Sequence, residues 1–294
     1  MRTLFAGILL VAVISAVATD WRIVDEWEVW GVTDDHAWGL TKKDGSDIYL
    51  ANWHPDDITE WETNIFVYEE DGTYQGELFD TPITDFDACG VVWKGDSDHG
   101  GVGWYMGSRR DSNVFFVAED GTSYTSFSGP GTFGNVFGVT YNAENDILYV
   151  TDWESARIAW GTVDSSGHVT SWNTENFGFD IGGLAYGVAD GTKYLFGIER
   201  YRDGRYWDAG LNVWELDASG QPLDIYVPID YFNFDVFYFP GGIFWDGDFL
   251  WMLNQNYDGA TNPDKVTKIA LPGYSDYLVN ITPASLGNIK AQFR

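Results

Sequence analysis

The chain has 294 residues, 45% hydrophobic and 17% aromatic, enough core for one large all-β domain or two ordinary ones, and this excludes disorder as its main state. Lys and Arg total 16 against 45 Asp and Glu, a formal net charge of −29 that repels nucleic acid and anionic lipid and suits salty surroundings or divalent cations. The single cysteine, Cys89, excludes an intramolecular disulfide and sits in the apolar stretch ACGVVW, where a buried inert thiol is expected.

At the N-terminus, Arg2, an apolar run over residues 4–14 and the small-x-small set Ala16-Val17-Ala18 form an export signal. Residues 1–18 are therefore expected to be removed, leaving a secreted, periplasmic or cell-surface protein. The apolar run is short for a bilayer span of roughly 20 residues, and no later stretch is long and apolar enough. No membrane insertion is expected.

A unit then recurs along residues 19–273. Gly-led segments occur as WGLTKK at Gly39, CGVVWK at Gly90, FGVTYN at Gly138, GGLAYG at Gly183 and GGIFWD at Gly242, spaced 51, 48, 45 and 59 residues apart. Each is followed by a second strand with an aromatic in one column: Tyr49, Tyr105, Tyr149, Phe196 and Trp251. Three residues later the column is polar in every copy, as Asn52, Ser108, Asp152, Glu199 and Asn254. A third strand ends at a Gly turn, preceded closely by Asp in the first four copies, and a more variable fourth strand follows.

Four strands per unit, five units and no helical period predict an all-β fold: a single β-propeller of five four-stranded blades, with six as the alternative. The mature N-terminus reads as the outer strand of the last blade and would close the ring; the rival for that place is YLVNIT, residues 277–282. Residues 274–294 fall outside the repeat as a C-terminal tail, with Asn280-Ile281-Thr282 a glycosylation sequon.

Tyr149-Val150-Thr151-Asp152 followed by Arg157-Ile158 resembles the YWTD and NHL class of propeller repeats, which use a similar strand, polar corner and strand. The other blades share only the aromatic and polar columns, and that class usually has six blades. Residues 242–247 are similar to segments of the five-bladed plant-type glutaminyl cyclases. The resemblance implies binding as often as catalysis.

In such a ring, equal repeat positions converge at one end of the channel. Three residues before each Gly stand His36, Asp87, Asn135, Asp180 and Phe239, with Asp35 and Asp85 adding charge. Converging oxygens with one imidazole suit a hard divalent ion, so His36, Asp87, Asn135 and Asp180 are the candidate calcium ligands. The second polar column, with Arg200, is the candidate ligand-binding set. His36 is the candidate catalytic base, oriented by Asp87 or Asp180. His54, His99 and His168 fall in corners and turns and are expected to be exposed. Arg109 and Arg110 are expected to pair with nearby acids such as Asp111. Trp53, Trp153, Tyr201 and Trp207 lie near corners where an aromatic stacks on a sugar or apolar ligand.

These readings converge on an exported, monomeric binding module for a protein, carbohydrate or small-molecule ligand at the loop-rich face, with calcium at the channel mouth. The alternatives are a metal-assisted hydrolase or lyase at the same mouth and a structural surface protein.

Overall fold

The computed structural model describes residues 21–29, 36–43, 45, 47–53, 63–83, 86–95, 99–110, 112–152, 155–199, 208–233, 238–256, 263–271 and 274. Residues 1–20, the expected tail apart from Tyr274, and Asp35, His54, Asp85, Asp111, Trp153, Arg200, Tyr201 and Trp207 lie outside them. At His36, Trp53, Phe239 and the rest of residues 208–209, 224–233, 238–240 and 256, only the backbone is described.

Strand β1 (Arg22–Glu28) comes first. Blade 1 is β2 (His36–Lys42), β3 (Ile48–Trp53), β4 (Asn64–Tyr68) and β5 (Tyr74–Asp80). Blade 2 is β6 (Ala88–Lys94), β7 (Gly103–Ser108), β8 (Asn113–Ala118) and β9 (Tyr124–Ser128). Blade 3 is β10 (Val139–Asn142), β11 (Ile147–Asp152), β12 (Arg157–Thr162) and β13 (Asn173–Asn176). Blade 4 is β14 (Ile181–Ala189), β15 (Thr192–Glu199), β16 (Asp208–Leu216) and β17 (Pro222–Asn233). Blade 5 is β18 (Tyr238–Trp245), β19 (Leu250–Asn256) and β20 (Lys265–Ala270), completed by β1.

Each blade is an antiparallel four-stranded sheet, in chain order in blades 1–4 and β18-β19-β20-β1 in blade 5, and the inner strands β2, β6, β10, β14 and β18 touch in a closed cycle. The protein is therefore a five-bladed β-propeller. The blade count matches the five copies of the repeat, and β1, paired antiparallel to β20 from Arg22↔Ala270 to Glu28↔Lys265, closes the ring as expected.

The core is divided among the five blade interfaces. Tyr49 and Ala51 pack toward Trp104 and Phe115 of blade 2, whereas Ile48 and Leu50 pack toward Trp251 and Leu253 of blade 5. Alternate residues of one strand thus serve opposite neighbours, which is why both faces are apolar. Every member of the aromatic column leans on the following blade. Two of them donate hydrogen bonds as well: Tyr105 Oη to Gly167 O at 2.9 Å, and Tyr149 Oη to Gly220 O. Tyr274 packs on Phe196, with ring centroids 5.8 Å apart.

The Asp residues before the turn glycines have a common task. Asp71, Asp120, Asp164 and Asp217 accept the backbone N–H two residues on, from Thr73, Thr122, Ser166 and Ser219 at 2.8–3.0 Å. Hydrogen bonds from those Thr and Ser side chains, and then from turn N–H groups, hold the four carboxyls below the usual value. Their contribution to stability is present above the ordinary Asp range and is lost as pH falls through the lowered values.

Candidate functional site

The five repeat glycines line the axis for a steric reason. A Cβ on Gly90 would stand 2.6 Å from Phe137 O, on Gly138 2.4 Å from Gly182 O, on Gly183 2.6 Å from Gly241 O and on Gly242 2.4 Å from Leu40 N. On Gly39 it would meet Val91, at 2.7 Å from Cγ1 and 3.1 Å from N. Each glycine therefore admits the next blade's inner strand at van der Waals distance. An extra residue bulges every inner strand at the same point: Phe137 N and Gly138 O both bond Thr151, and the register slips at Ala37/Gly39, Ala88/Val91, Ile181/Leu184 and Pro240/Ile243.

Among the described residues, the axis that results is nearly filled. Its cavity, lined by Leu40, Cys89, Val91, Phe137 and Val139 among others, is about 10 Å3, room for roughly one water. The residues just before the glycines are Trp38, Cys89, Phe137, Gly182 and Gly241. Trp38 and Phe137 come from blades that are not neighbours, yet their rings meet edge to face at 5.4 Å. They form an aromatic plug in the space that Cys89, Gly182 and Gly241 leave open.

The second polar column lies at the same end, since Ala37 pairs with Asn52, Ala88 with Ser108, Ile181 with Glu199 and Pro240 with Asn254. All five members are buried and each is engaged within its own repeat. Asn52 Oδ1 accepts Asn64 N at 3.0 Å, Glu199 Oε2 accepts Asn212 Nδ2 at 3.4 Å and Asn254 Nδ2 donates to Thr267 Oγ1 at 2.9 Å. Ser108 Oγ accepts Arg110 N and Asp152 Oδ2 accepts Gly134 N, each at 3.2 Å. The column ties second strands to third strands and fixes corners.

Of the candidate calcium ligands, Asp87 and Asn135 are buried and Asp180 is half-buried; each precedes the inner strand of its blade. Among the described residues, no three His, Cys, Asp or Glu side chains gather in a metal-holding group. Asp87 faces a guanidinium: Arg109 Nε lies 3.6 Å from its Oδ2, while Arg109 N donates to Asp87 O at 3.0 Å. Arg109 thus meets the acid at the start of its own blade's inner strand. Its guanidinium also lies over the Trp38 ring, 5.5 Å from the centroid. Asp87 Oδ1 is buried and accepts no hydrogen bond.

Burial of this carboxyl outweighs the lowering pull of Arg109 and Arg110 and pushes it up to about 6. The sign is opposite to that of the turn aspartates. A raised folded-state value gives stability below the ordinary Asp pKa that is lost as pH rises toward 6. Asp87→Asn is expected to stabilise the protein by on the order of 2–3 kcal/mol at pH 8 and to give no gain near pH 4. Urea unfolding at the two pH values checks this; equal effects at both would refute it.

His99 is half-buried, its Nδ1 3.2 Å from Asp146 Oδ1, and His168 is half-buried against Phe127 with Nε2 3.1 Å from Thr125 Oγ1. Both were expected to be exposed, and both are seated in the interface of blades 2 and 3. Sequence reasoning missed Trp38 and the Asp87–Arg109 pair. A signal for them existed in the positions just before Gly39 and just after Ser108.

No family model matches the chain, and no curated protein does. Solved structures with a similar chain path include one from the nidogen/laminin complex, 14% identical over 74% of this chain and 72% of that one, TM-score 0.49. The PQQ-bound aldose sugar dehydrogenase of Streptomyces coelicolor is 13% identical over 85% and 98%, TM-score 0.49. The calcium-binding protein regucalcin of Agrobacterium tumefaciens is 8% identical over 87% and 96%, TM-score 0.47. The fold assignment rests on the blade topology described above.

Proposed function

We propose that the protein is an exported binding module that meets its ligand on the mouth face of the propeller. The filled axis carries this reading. A cavity of about 10 Å3 is far below the roughly 300–1,000 Å3 of a small-molecule site, so recognition falls to the surface around the mouth. The exposed Arg110 and the partly exposed Arg109 offer donors there, within a strongly acidic protein.

The test is a binding screen of immobilised neutral oligosaccharides and peptides with two charge reversals. Arg110→Glu at the mouth is expected to weaken a hit at least tenfold, about 1.4 kcal/mol. Lys193→Glu, in the strand after the β14–β15 turn at the opposite end, should leave it unchanged. Equal loss in both variants would place recognition elsewhere. Export is read from the leader, and the intact mass of secreted protein should begin at Thr19.

A second reading is a hydrolase or lyase at the same mouth with His36, Asp87, Asn135 and Asp180. The buried Asp87 carboxyl, at about 6, supports it as a general base near neutral pH. Turnover of any substrate should then vanish in Asp87→Asn. Calcium on Asp87, Asn135 and Asp180 belongs to the proposal as well, although Arg109 already offsets one of those carboxylates. Millimolar calcium should raise Tm over the same protein in chelator, and an unchanged Tm would remove the ion from the reading.

A further inference from the structure

β1 is the outer strand of blade 5, and among the described residues no strand pairs with its other edge. A cavity of about 440 Å3 lies beside it, lined by Glu26, Trp27 and Glu28 of β1, Lys265 of β20, and Asp71 and Gly72 from the β4–β5 turn of blade 1. That volume falls within the roughly 300–1,000 Å3 of ligand sites. Three consecutive residues border it, so both faces of β1 reach the space. Glu26 accepts Lys265 Nζ at 2.7 Å, while Glu28 and Asp71 are exposed acids. Trp27, on the opposite face of the strand, is 9% exposed, and its Nε1–H is buried and meets no acceptor among the described residues. The three carboxylates do not gather into a metal-holding group, so the cations that suit them are spread along a chain.

Residues 289–294 read Ile-Lys-Ala-Gln-Phe-Arg, a strict alternation of apolar and polar residues that suits a strand. The polar face carries Lys290 and Arg294, in a protein of formal net charge −29. Acidic edges repel one another, so β1 disfavours pairing with a second copy of itself and favours a basic strand. Reach is sufficient. Tyr274 packs on Phe196 between blades 4 and 5, and the fifteen residues 275–289 can extend over up to roughly 50 Å.

We propose that residues 289–294 dock along β1 as a fifth strand of blade 5, in the cavity at the closure seam. Lys290 and Arg294 then face Glu26 and Glu28, with Asp71 close by, and Ile289 and Phe293 face the side of Trp27. An added strand brings backbone carbonyls beside an indole N–H that has no acceptor among the described residues. Because the cavity is shared by β1 and the blade 1 turn, the docked segment fastens the ring where its ends meet. Nothing in this docking depends on a ligand at the mouth.

Zero-length carbodiimide cross-linking of the full chain, read by peptide mass spectrometry, is the first test. Lys290 should join Glu26, Glu28 or Asp71 ahead of other acids, and joins spread over the surface would overturn the proposal. Mixing isotope-labelled with unlabelled protein shows whose tail is docked. Products of one isotope are expected, and mixed products would place the segment on a second copy and overturn docking within the chain. Tryptic cleavage after Lys290 in the folded full chain is the second test. Glu28→Gln combined with Asp71→Asn should speed it by about fivefold or more, for two exposed ion pairs lost. Asp120→Asn makes the same charge change at the equivalent turn of blade 2, where Asn also keeps the turn, and should leave the rate unaltered. Equal rates in the wild type and the double variant would overturn the docking.

Discussion

Gly138→Ala is expected to cost more than about 3 kcal/mol or to prevent ring closure. The added Cβ would stand 2.4 Å from Gly182 O, 2.7 Å from Thr151 Oγ1 and 3.1 Å from Leu184 N. None of these can step aside cheaply. Gly182 O and Leu184 N are backbone of the neighbouring inner strand, and Thr151 Oγ1 accepts Gly138 N at 2.8 Å and donates to Gly182 O at 3.0 Å. Relief would require blades 3 and 4 to separate at the axis, where five blades share one line of contact. Gly131→Ala provides the control, because a Cβ there meets nothing within 4 Å. Denaturant unfolding should leave it within about 0.5 kcal/mol of wild type. A Gly138→Ala protein of unaltered stability would disprove the steric account of the axis.

Trp27→Ala should cost about 3–5 kcal/mol, a large core truncation placed on the strand that closes the ring. Trp27 is the buried anchor of β1: it stacks on Tyr68 of blade 1, with centroids 5.2 Å apart and planes 29° apart. Its ring also lies 2.7 Å from where a Cβ on Gly72 would be, so the blade 1 turn rests directly on it. A second tie joins the same two blades, with Asp264 Oδ2 accepting Ala37 N at 2.9 Å and Gln255 Nε2 donating to Ala37 O. Equilibrium unfolding in urea checks the magnitude. Lys265→Ala removes a half-exposed bridge to Glu26 and should cost less than about 1 kcal/mol. Comparable losses in the two variants would show that the closing strand is held by charge rather than by the indole.

Much of this architecture could be read before any coordinates. The aromatic column was legible because Tyr49, Tyr105, Tyr149, Phe196 and Trp251 repeat one packing task, and a repeated task imposes a repeated residue type. The turn aspartates were legible for the same reason. The candidate site was less so. Asn52 and Asp152 were read as part of a ligand ring, yet their bonds to Asn64 N and Gly134 N are local ties that no column of letters distinguishes from such a ring. Arg109 was expected to pair with acids near it in sequence such as Asp111, which lies outside the described residues; among those described, Asp87 stands beside it, just before the inner strand and three positions before the axial glycine.

The sequence by itself determined what is periodic: a unit of four strands, five copies of its columns and apolar residues on both faces, while the pairing of β1 with β20 decided between five and six blades and which strand closes the ring. Periodicity records contacts that every blade makes with the next, so it survives in one dimension. The tertiary structure decided what happens where the blades meet. The glycines fit because a neighbour's backbone fills the place of their Cβ, and Trp38 and Phe137 plug the mouth because three smaller residues yield them the axis. The Asp87 carboxyl is pushed up to about 6 because burial outweighs Arg109 and Arg110. Each of these depends on side chains that differ from blade to blade, and only their positions in space bring them together.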